Sequence, residues 1–440
     1  MVNDALTNTA NSADAVNNLS TLINPNSLIK LNTPLRLDAD LLNACVSCGL
    51  CLPHCPTYRA TEEESASPRG RITAMRAVEA GTLAIDDDFV SFMERCVLCR
   101  GCETACPSGV HFGPLMEATR EALSVSGHLR PPRALTSGLG VLRFHRLVLA
   151  GSSLLAIAQR ARLLPPSLAA KLGLPSRLPI RRRRLAADTG AVNAVLFTGC
   201  VMDAWQRNVH EATLRVMRAA GARVGLPTVG AVCCGALHVH AGKLDGAKDL
   251  ARSVIEAFGG ASGPTIVVNS AGCGAALKHY GELLGTTEAV AFSLRVQDVG
   301  EWLADHVDAL PTAAPGSTRP RVAVSDPCHL RHVQRAHLPV RIALRPFAEV
   351  IELDDEGRCC GAGGSYQLTQ PELAEEIRAQ KISAIERSGA LRVVSGNPGC
   401  TMWLGAAGVD VCHPVEIIDE VLHGTPPKPV SRPVKEARHG

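Results

Sequence analysis

The sequence predicts a helical α+β module followed by two copies of an α/β domain. Two cysteine runs of identical spacing mark the first part: Cys45, Cys48, Cys51, Cys55-Pro56, then Cys96, Cys99, Cys102, Cys106-Pro107. A second cysteine pattern marks the rest. Cys200, Cys233-Cys234-Gly235 and Cys273 recur as Cys328, Cys359-Cys360-Gly361 and Cys400, at separations of 128, 126 and 127 residues. Offsets this constant are the signature of an internal duplication. The third observation is the grammar around these cysteines. Ala194–Phe197, Thr265–Val268, Arg321–Val324 and Leu391–Val394 are short apolar, β-branched runs, each followed by a turn and a helical pattern such as 209–219 or 373–385. That alternation predicts parallel sheets.

Taken in order, residues 1–33 are rich in Asn, Ser and Thr and read as a flexible tail with neither a basic start nor an apolar core. Residues 34–128 form the module that carries the two runs. A Cys-x-x-Cys-x-x-Cys-x-x-x-Cys-Pro run is the bacterial-ferredoxin ligand pattern for a [4Fe-4S] cluster, and its fourth cysteine reaches the other cluster of a pair. One cluster therefore takes Cys45, Cys48, Cys51 and Cys106, and the other Cys96, Cys99, Cys102 and Cys55. Zinc ribbons use pairs of Cys-x-x-Cys rather than such triple runs, and closely spaced cysteines in a tight turn do not reach disulfide geometry. Between the runs, Arg69 and Arg71 in Ser67-Pro68-Arg69-Gly70-Arg71-Ile72 open a helical pattern through Met75, Val78 and Gly81. They are placed either to offset cluster charge or to sit in solvent.

Residues 129–190 are a basic helical connector, with the apolar stretch 147–158 and Arg181 to Arg184 at its end. It reads as a linker packed on its own protein that ends in a solvated charge run, with contact to an anionic membrane surface as the alternative. The repeated domains are expected at 191–310 and 318–425, with a tail over 426–440.

In open parallel sheets, sites form at the carboxyl ends of the strands, and the repeated cysteines fall there. Each set of four could hold a further iron–sulfur cluster or zinc. A lone buried cysteine is a small hydrophobe, and Cys412, which has no counterpart in the first repeat, is expected in the core. His238, His240 and His329 lie beside the sets and read as hydrogen-bonded structural residues. Gly361-Ala362-Gly363-Gly364 lacks the strand context of a dinucleotide site, and the chain has no P-loop, nucleophile elbow or HExxH motif. A net charge of +3 over 440 residues gives no reason to expect nucleic acid as a partner. Seventeen cysteines, an odd number gathered in motifs, point to metal ligation in a reducing compartment. No stretch is apolar enough to span a membrane. The expected location is the cytoplasm, with peripheral contact at the inner face of the plasma membrane left open.

With both halves in view, the chain resembles the iron–sulfur subunit of glycolate oxidase (glycolate dehydrogenase) over about residues 40–425. That subunit belongs to the wider group of proteins with paired CCG domains, which includes the heterodisulfide reductase catalytic subunit and the iron–sulfur subunits of anaerobic glycerol-3-phosphate and lactate dehydrogenases. The resemblance rests on both ferredoxin runs, Pro68-Arg69-Gly70-Arg71, Gly199-Cys200, both Cys-Cys-Gly motifs, Ser270-Ala271-Gly272-Cys273-Gly274 and Asn397-x-Gly399-Cys400. It implies an electron-transfer subunit of an oxidoreductase complex, with no catalytic residues of its own. FAD-containing hydroxy-acid oxidase subunits would supply the electrons, and a respiratory acceptor such as quinone would receive them. The chain departs from heterodisulfide reductase where the CCG domains of that enzyme end in Cys-x-x-Cys. Here the segments are Cys273-Gly274-Ala275-Ala276 and Cys400-Thr401-Met402-Trp403.

Overall fold

A computed structural model describes residues 34–175, 177–227 and 233–424. The tails expected at 1–33 and 426–440 lie outside the described residues. The C-terminal half contains two parallel four-stranded sheets. The first holds β1 (Ala194–Phe197), β2 (Val224–Gly225), β3 (Thr265–Val268) and β4 (Val296–Asp298), in the order β2-β1-β3-β4. The second holds β5 (Arg321–Val324), β6 (Glu349–Glu352), β7 (Arg392–Val394) and β8 (Val411–Cys412), in the matching order β6-β5-β7-β8. Leu196, Ile266, Val267, Val322 and Ala323 are buried, as central strands covered on both faces require. The strand order reverses between β1 and β3, and again between β5 and β7. Each reversal opens a crevice at the carboxyl ends of the strands.

The two sheet domains are packed together through helices. The Arg207–Ala219 helix buries Val209, Ala212, Val216 and Met217, a spacing that puts them on one face. This helix meets the Pro414–His423 helix of the second domain, and Val299–Asp305 meets His337–Leu344 in the same manner. One apolar core therefore crosses the boundary, with Leu196, Val216 and Trp302 from the first domain and Val324, Leu344 and Ile418 from the second. Cys412 packs against this core, and burial pushes its thiol well above its ordinary pKa.

The N-terminal module is helical, with no strand among its described residues. Ser67 caps the Pro68–Glu79 helix by accepting from Gly70 N at 2.9 Å, and Pro68 occupies the first turn, where its missing N–H costs nothing. Asp86 caps Asp87–Glu94 in the same way. Phe112–Val125 then folds back on both, and Ile72, Met75, Phe89, Met93, Leu115 and Met116 close the core.

The connector forms helices Arg133–Val141, His145–Arg160 and Pro166–Lys171. Its closing charge run is not wholly solvated as expected. Arg182 donates to Ala204 O at 2.7 Å and to Ser152 Oγ at 2.6 Å, and so fastens the connector to the first sheet domain. Among the described residues, no helix is long and apolar enough to cross a membrane.

Candidate redox centres

The two ferredoxin-type runs fold alike. Ser47 and Gly49 in the first run, and Leu98 and Arg100 in the second, take left-handed backbone conformations, with φ of 58°, 87°, 55° and 59°. These are matched positions, one before and one after the middle cysteine. A bulky Leu98 at positive φ is strained outside a site that needs it. The repeated turn wraps each run around a hollow. Cys45, Cys48, Cys51 and Cys106 line one hollow together with Pro68, Arg69 and Cys102. Cys55 is buried and does not line this hollow; its thiol is felt by Cys99 and Cys102 of the other run as well as by Cys51 of its own. Burial pushes the Cys99 and Cys102 thiols well above their ordinary range, and Cys51 up to about 11. Cys55, Cys96, Cys99 and Cys102 are all buried, and thiols in so little solvent give up their protons when a cationic core replaces water, which is the donor chemistry of an iron–sulfur cluster.

The two arginines between the runs separate into different roles. Arg69 is half-buried on the rim of the first hollow, pairs with Glu64 at 2.7 Å and reaches Ser47 O at 3.2 Å. Arg71 is buried. It donates through Nε to Phe92 O at 2.7 Å and through Nη1 to Ala66 O at 2.5 Å and Thr57 Oγ1 at 3.3 Å. Thr57 Oγ1 and Ala66 O are also the polar neighbours of Cys55 Sγ, at 3.3 and 3.6 Å. Arg71 therefore fixes the loop that delivers the crossing cysteine.

In the sheet domains every repeated cysteine follows a strand. Cys200 follows β1, Cys233 and Cys234 follow β2 and Cys273 follows β3; Cys328, Cys359, Cys360 and Cys400 follow β5, β6 and β7. Cys234 Sγ and Cys273 Sγ are 3.3 Å apart. The glycine of each Cys-Cys-Gly motif is required by its backbone. Gly235 has φ +81° and Gly361 φ +87°, and a Cβ on Gly361 would lie 2.5 Å from Ala374 O. Only glycine lets the cysteine pair sit this close to the following helix.

All eight of these cysteines line one cavity of 170 Å³ between the two domains. Asn397 ties its two sides together. Its Oδ1 accepts from Gly272 N at 3.1 Å, and its Nδ2 lies 3.4 Å from Cys400 Sγ. The second set also touches the ferredoxin module: Val97 and Cys99 share an apolar cluster with Cys359, Cys360 and Cys400. Among the described residues, no three His, Cys, Asp or Glu side chains gather tightly enough for a single metal ion. A tetrahedral zinc about 2.3 Å from each thiolate draws its sulfurs to within roughly 3.8 Å of one another, whereas a four-iron cluster gives each thiolate an iron of its own.

Residues 41–110 match the 4Fe-4S dicluster domain, and residues 194–278 and 322–405 each match the cysteine-rich domain family. The chain is 32% identical to the probable glycolate oxidase iron-sulfur subunit of Bacillus subtilis, over 84% of its own length and 89% of that protein. It is likewise 32% identical to the glycolate oxidase iron-sulfur subunit of Escherichia coli, over 88% and 96%. The chain belongs to this family. A more distant likeness, 26% over 87% of the chain, is to one of the subunits of the dihydromethanophenazine:CoB–CoM heterodisulfide reductase of Methanosarcina barkeri, covering 92% of that protein.

As a glycolate oxidase-type iron–sulfur subunit, the chain uses residues that its sequence does not single out. Arg120, on the helix packed behind the second run, is buried; its Nη2 donates to Met93 O at 2.9 Å and Cys96 O at 2.6 Å, and its Nη1 to His240 O at 2.9 Å. It joins the module to the first sheet domain. Tyr366 OH donates to Arg95 O at 2.9 Å and joins the module to the second. His329 Nε2 donates to Leu98 O at 3.0 Å, and the rings of His329 and His240 meet edge-on at 5.4 Å, so both histidines are structural wedges between the cysteine groups. His238 is buried beside Cys233, and burial holds its pKa below the ordinary value. No local pattern marks Arg120 or Tyr366, because each has a partner in another domain.

Proposed function

We propose that this subunit holds four one-electron carrier sites in sequence between a hydroxy-acid oxidase subunit and a respiratory acceptor. Cys45, Cys48, Cys51 and Cys106 would hold one [4Fe-4S] cluster, and Cys96, Cys99, Cys102 and Cys55 a second. The sets Cys200/Cys233/Cys234/Cys273 and Cys328/Cys359/Cys360/Cys400 would each hold a further iron–sulfur centre. Bound clusters supply single-electron oxidation and reduction, and the protein supplies thiolates, burial and order. The observation that carries the reading is contiguity. Cys102 borders the first hollow while belonging to the second run, Cys99 packs with the Cys359 set, and that set shares a cavity with the Cys200 set.

The substrate side would be an FAD-containing partner that oxidises glycolate to glyoxylate, and the acceptor a quinone. The outer end of the series suits entry of electrons from the partner: Cys48 is exposed, and Val46 and Leu50 beside it are 69% and 57% accessible. The test is reconstitution with the flavoprotein. Glycolate should reduce the clusters and then quinone, and glycolate-to-quinone flow that persists without this chain refutes the reading. Iron analysis tests the two inner sites, since two clusters account for about eight irons per chain and occupied CCG sites add to that.

A second reading, a reductase acting on a disulfide, draws support from the cavity between the two CCG sets and from the heterodisulfide reductase relatives. Turnover of a disulfide substrate that is lost in Cys360→Ser, with the ferredoxin-type clusters intact, would establish it instead.

A further inference from the structure

The connector carries an arrangement that the redox series does not use. Between Glu121 and Asp188 the chain has no carboxylate and twelve arginines and lysines. The whole chain has a net charge of +3, so the remainder carries −9. This segregation is accompanied by an inverted helix. The face of His145–Arg160 that packs on the first sheet domain carries small and polar groups. There His145 Nε2 lies 2.9 Å from Asp203 Oδ2, Ser152 Oγ accepts from Trp205 Nε1 at 2.7 Å, and Ala156 is buried. The opposite face carries the large apolar side chains: Phe144, Leu147, Leu154 and Ile157 are 60%, 55%, 68% and 49% exposed. Their spacing of three, seven and three residues makes one stripe. Leu163 and Leu168, in the next turn and helix, extend it at 78% and 45%. Arg146, Arg160, Arg162 and Lys171 are exposed alongside.

A water-facing helix of a folded domain has the reverse polarity. Asp249 of the first sheet domain pairs with Arg143 at the edge of the stripe, at 3.5 Å, and the border is otherwise cationic. An exposed apolar stripe in so basic a border is the pattern of a helix lying in the interface of an anionic bilayer, and no described helix is long and apolar enough to span one. A docking face for a protein partner would carry both signs of charge around a mostly uncharged centre, whereas this segment lacks any acid. We propose that the 141–172 face of the connector seats the subunit on anionic lipid headgroups, with Phe144, Leu147, Leu154 and Ile157 entering the headgroup layer. The first sheet domain, to which the connector is fastened, would then be the end of the series nearest the membrane. This last step rests on the relay reading; the lipid contact itself does not.

The experiment is flotation of the full cluster-loaded chain, alone and with its partner, on vesicles of phosphatidylcholine or of equal parts phosphatidylcholine and phosphatidylglycerol. Binding is expected only to the anionic vesicles, and is expected to fall steeply with added salt. The double variant Leu147→Gln, Leu154→Gln should lose about tenfold in partition while keeping its iron content and its reduction by the partner plus glycolate. Equal binding to both vesicle types, no binding, or wild-type partition in the variant overturns the proposal. So does release of the partner subunit by the variant with vesicle binding unchanged, which would assign the face to protein. Failure of the partner to reduce the chain would instead count against the relay reading and leave vesicle binding as a separate result.

Discussion

Replacing Arg71 by methionine should open the site of the second cluster. Arg71 is 1% accessible, and its guanidinium holds three acceptors, Phe92 O at 2.7 Å, Ala66 O at 2.5 Å and Thr57 Oγ1 at 3.3 Å. A hydrogen bond from a charged donor is worth about 1.5–3 kcal/mol, and a stranded buried carbonyl costs a similar amount. Methionine keeps most of the aliphatic packing, so counting the two short bonds at the lower value gives about 3 kcal/mol. At about 1.36 kcal/mol per decade, that is roughly a 150-fold shift in the equilibrium between closed and open loop. The assay is anaerobic release of iron from the holoprotein to a ferrous chelator. If release passes through this opening, its rate should rise by about two orders of magnitude, and the iron lost first should belong to the Cys55 site. Arg69→Met supplies the control. Its pair with Glu64 faces solvent, where water screens the attraction, and release should change only a few-fold. Release within about threefold of wild type for Arg71→Met, or equal effects at both arginines, would refute the assignment of Arg71 as the anchor of the Cys55 loop.

Three further outcomes are expected. Cys106→Ser should alter the electron paramagnetic resonance signal of the centre held by Cys45, Cys48 and Cys51, and Cys55→Ser that of the other; the opposite pattern would mean that each run closes on itself. Gly361→Ala should cost about 2–4 kcal/mol in denaturant unfolding, since it adds left-handed strain to a 2.5 Å approach to Ala374 O. Gly389→Ala, at φ +66° with open space around it, should cost only the strain of about 1–2 kcal/mol. His210 and His413 are buried, and burial lowers both to about 4. The unfolded chain therefore binds more protons between about pH 6.5 and 4, and stability is lost as pH falls through that window. The loss between about pH 7.5 and 5.5 should be about 1 kcal/mol per ring, read as a urea midpoint, and His210→Gln should remove its share of the slope.

The parts of the molecule legible in its sequence are those set by local chemistry. Ala194–Phe197, Thr265–Val268 and Arg321–Val324 are strands with the expected bounds because short apolar, β-branched runs between turns have little else to form. The helices at 209–219 and 373–385 extend to Arg207–Ala219 and Pro371–Arg387. Cysteine spacing likewise places the repeated thiols at the strand ends. Arg182 departs from expectation because an arginine in a run of four looks solvated until Ser152 and Ala204 are brought against it. The role of Arg71 stays undecided at the level of sequence for the same reason, and Arg120 and Tyr366 leave no trace there. Their partners are distant along the chain, and the energy that fixes them is burial, which no local spacing encodes. The shared cavity belongs to this class too, since it exists only once two domains face each other.

The way those domains face each other has a further consequence. Arg207–Ala219 follows β1 as His337–Leu344 follows β5, and Val299–Asp305 follows β4 as Pro414–His423 follows β8. In both pairs a helix between the first two strands of one copy packs on the last α-helix of the other. One contact is thus made twice with the roles exchanged, which is the rule of a two-fold homodimer. The duplicated half is a dimer written into one polypeptide. In a true dimer the two cysteine sets would be interchangeable, and electrons would have no preferred way to go. Within this one chain the two sets are not equivalent. Cys359 now lies against Cys99, while the first copy carries the connector. The two-fold is thereby broken at the cysteine sets themselves, and it is this asymmetry that would give the proposed relay a direction.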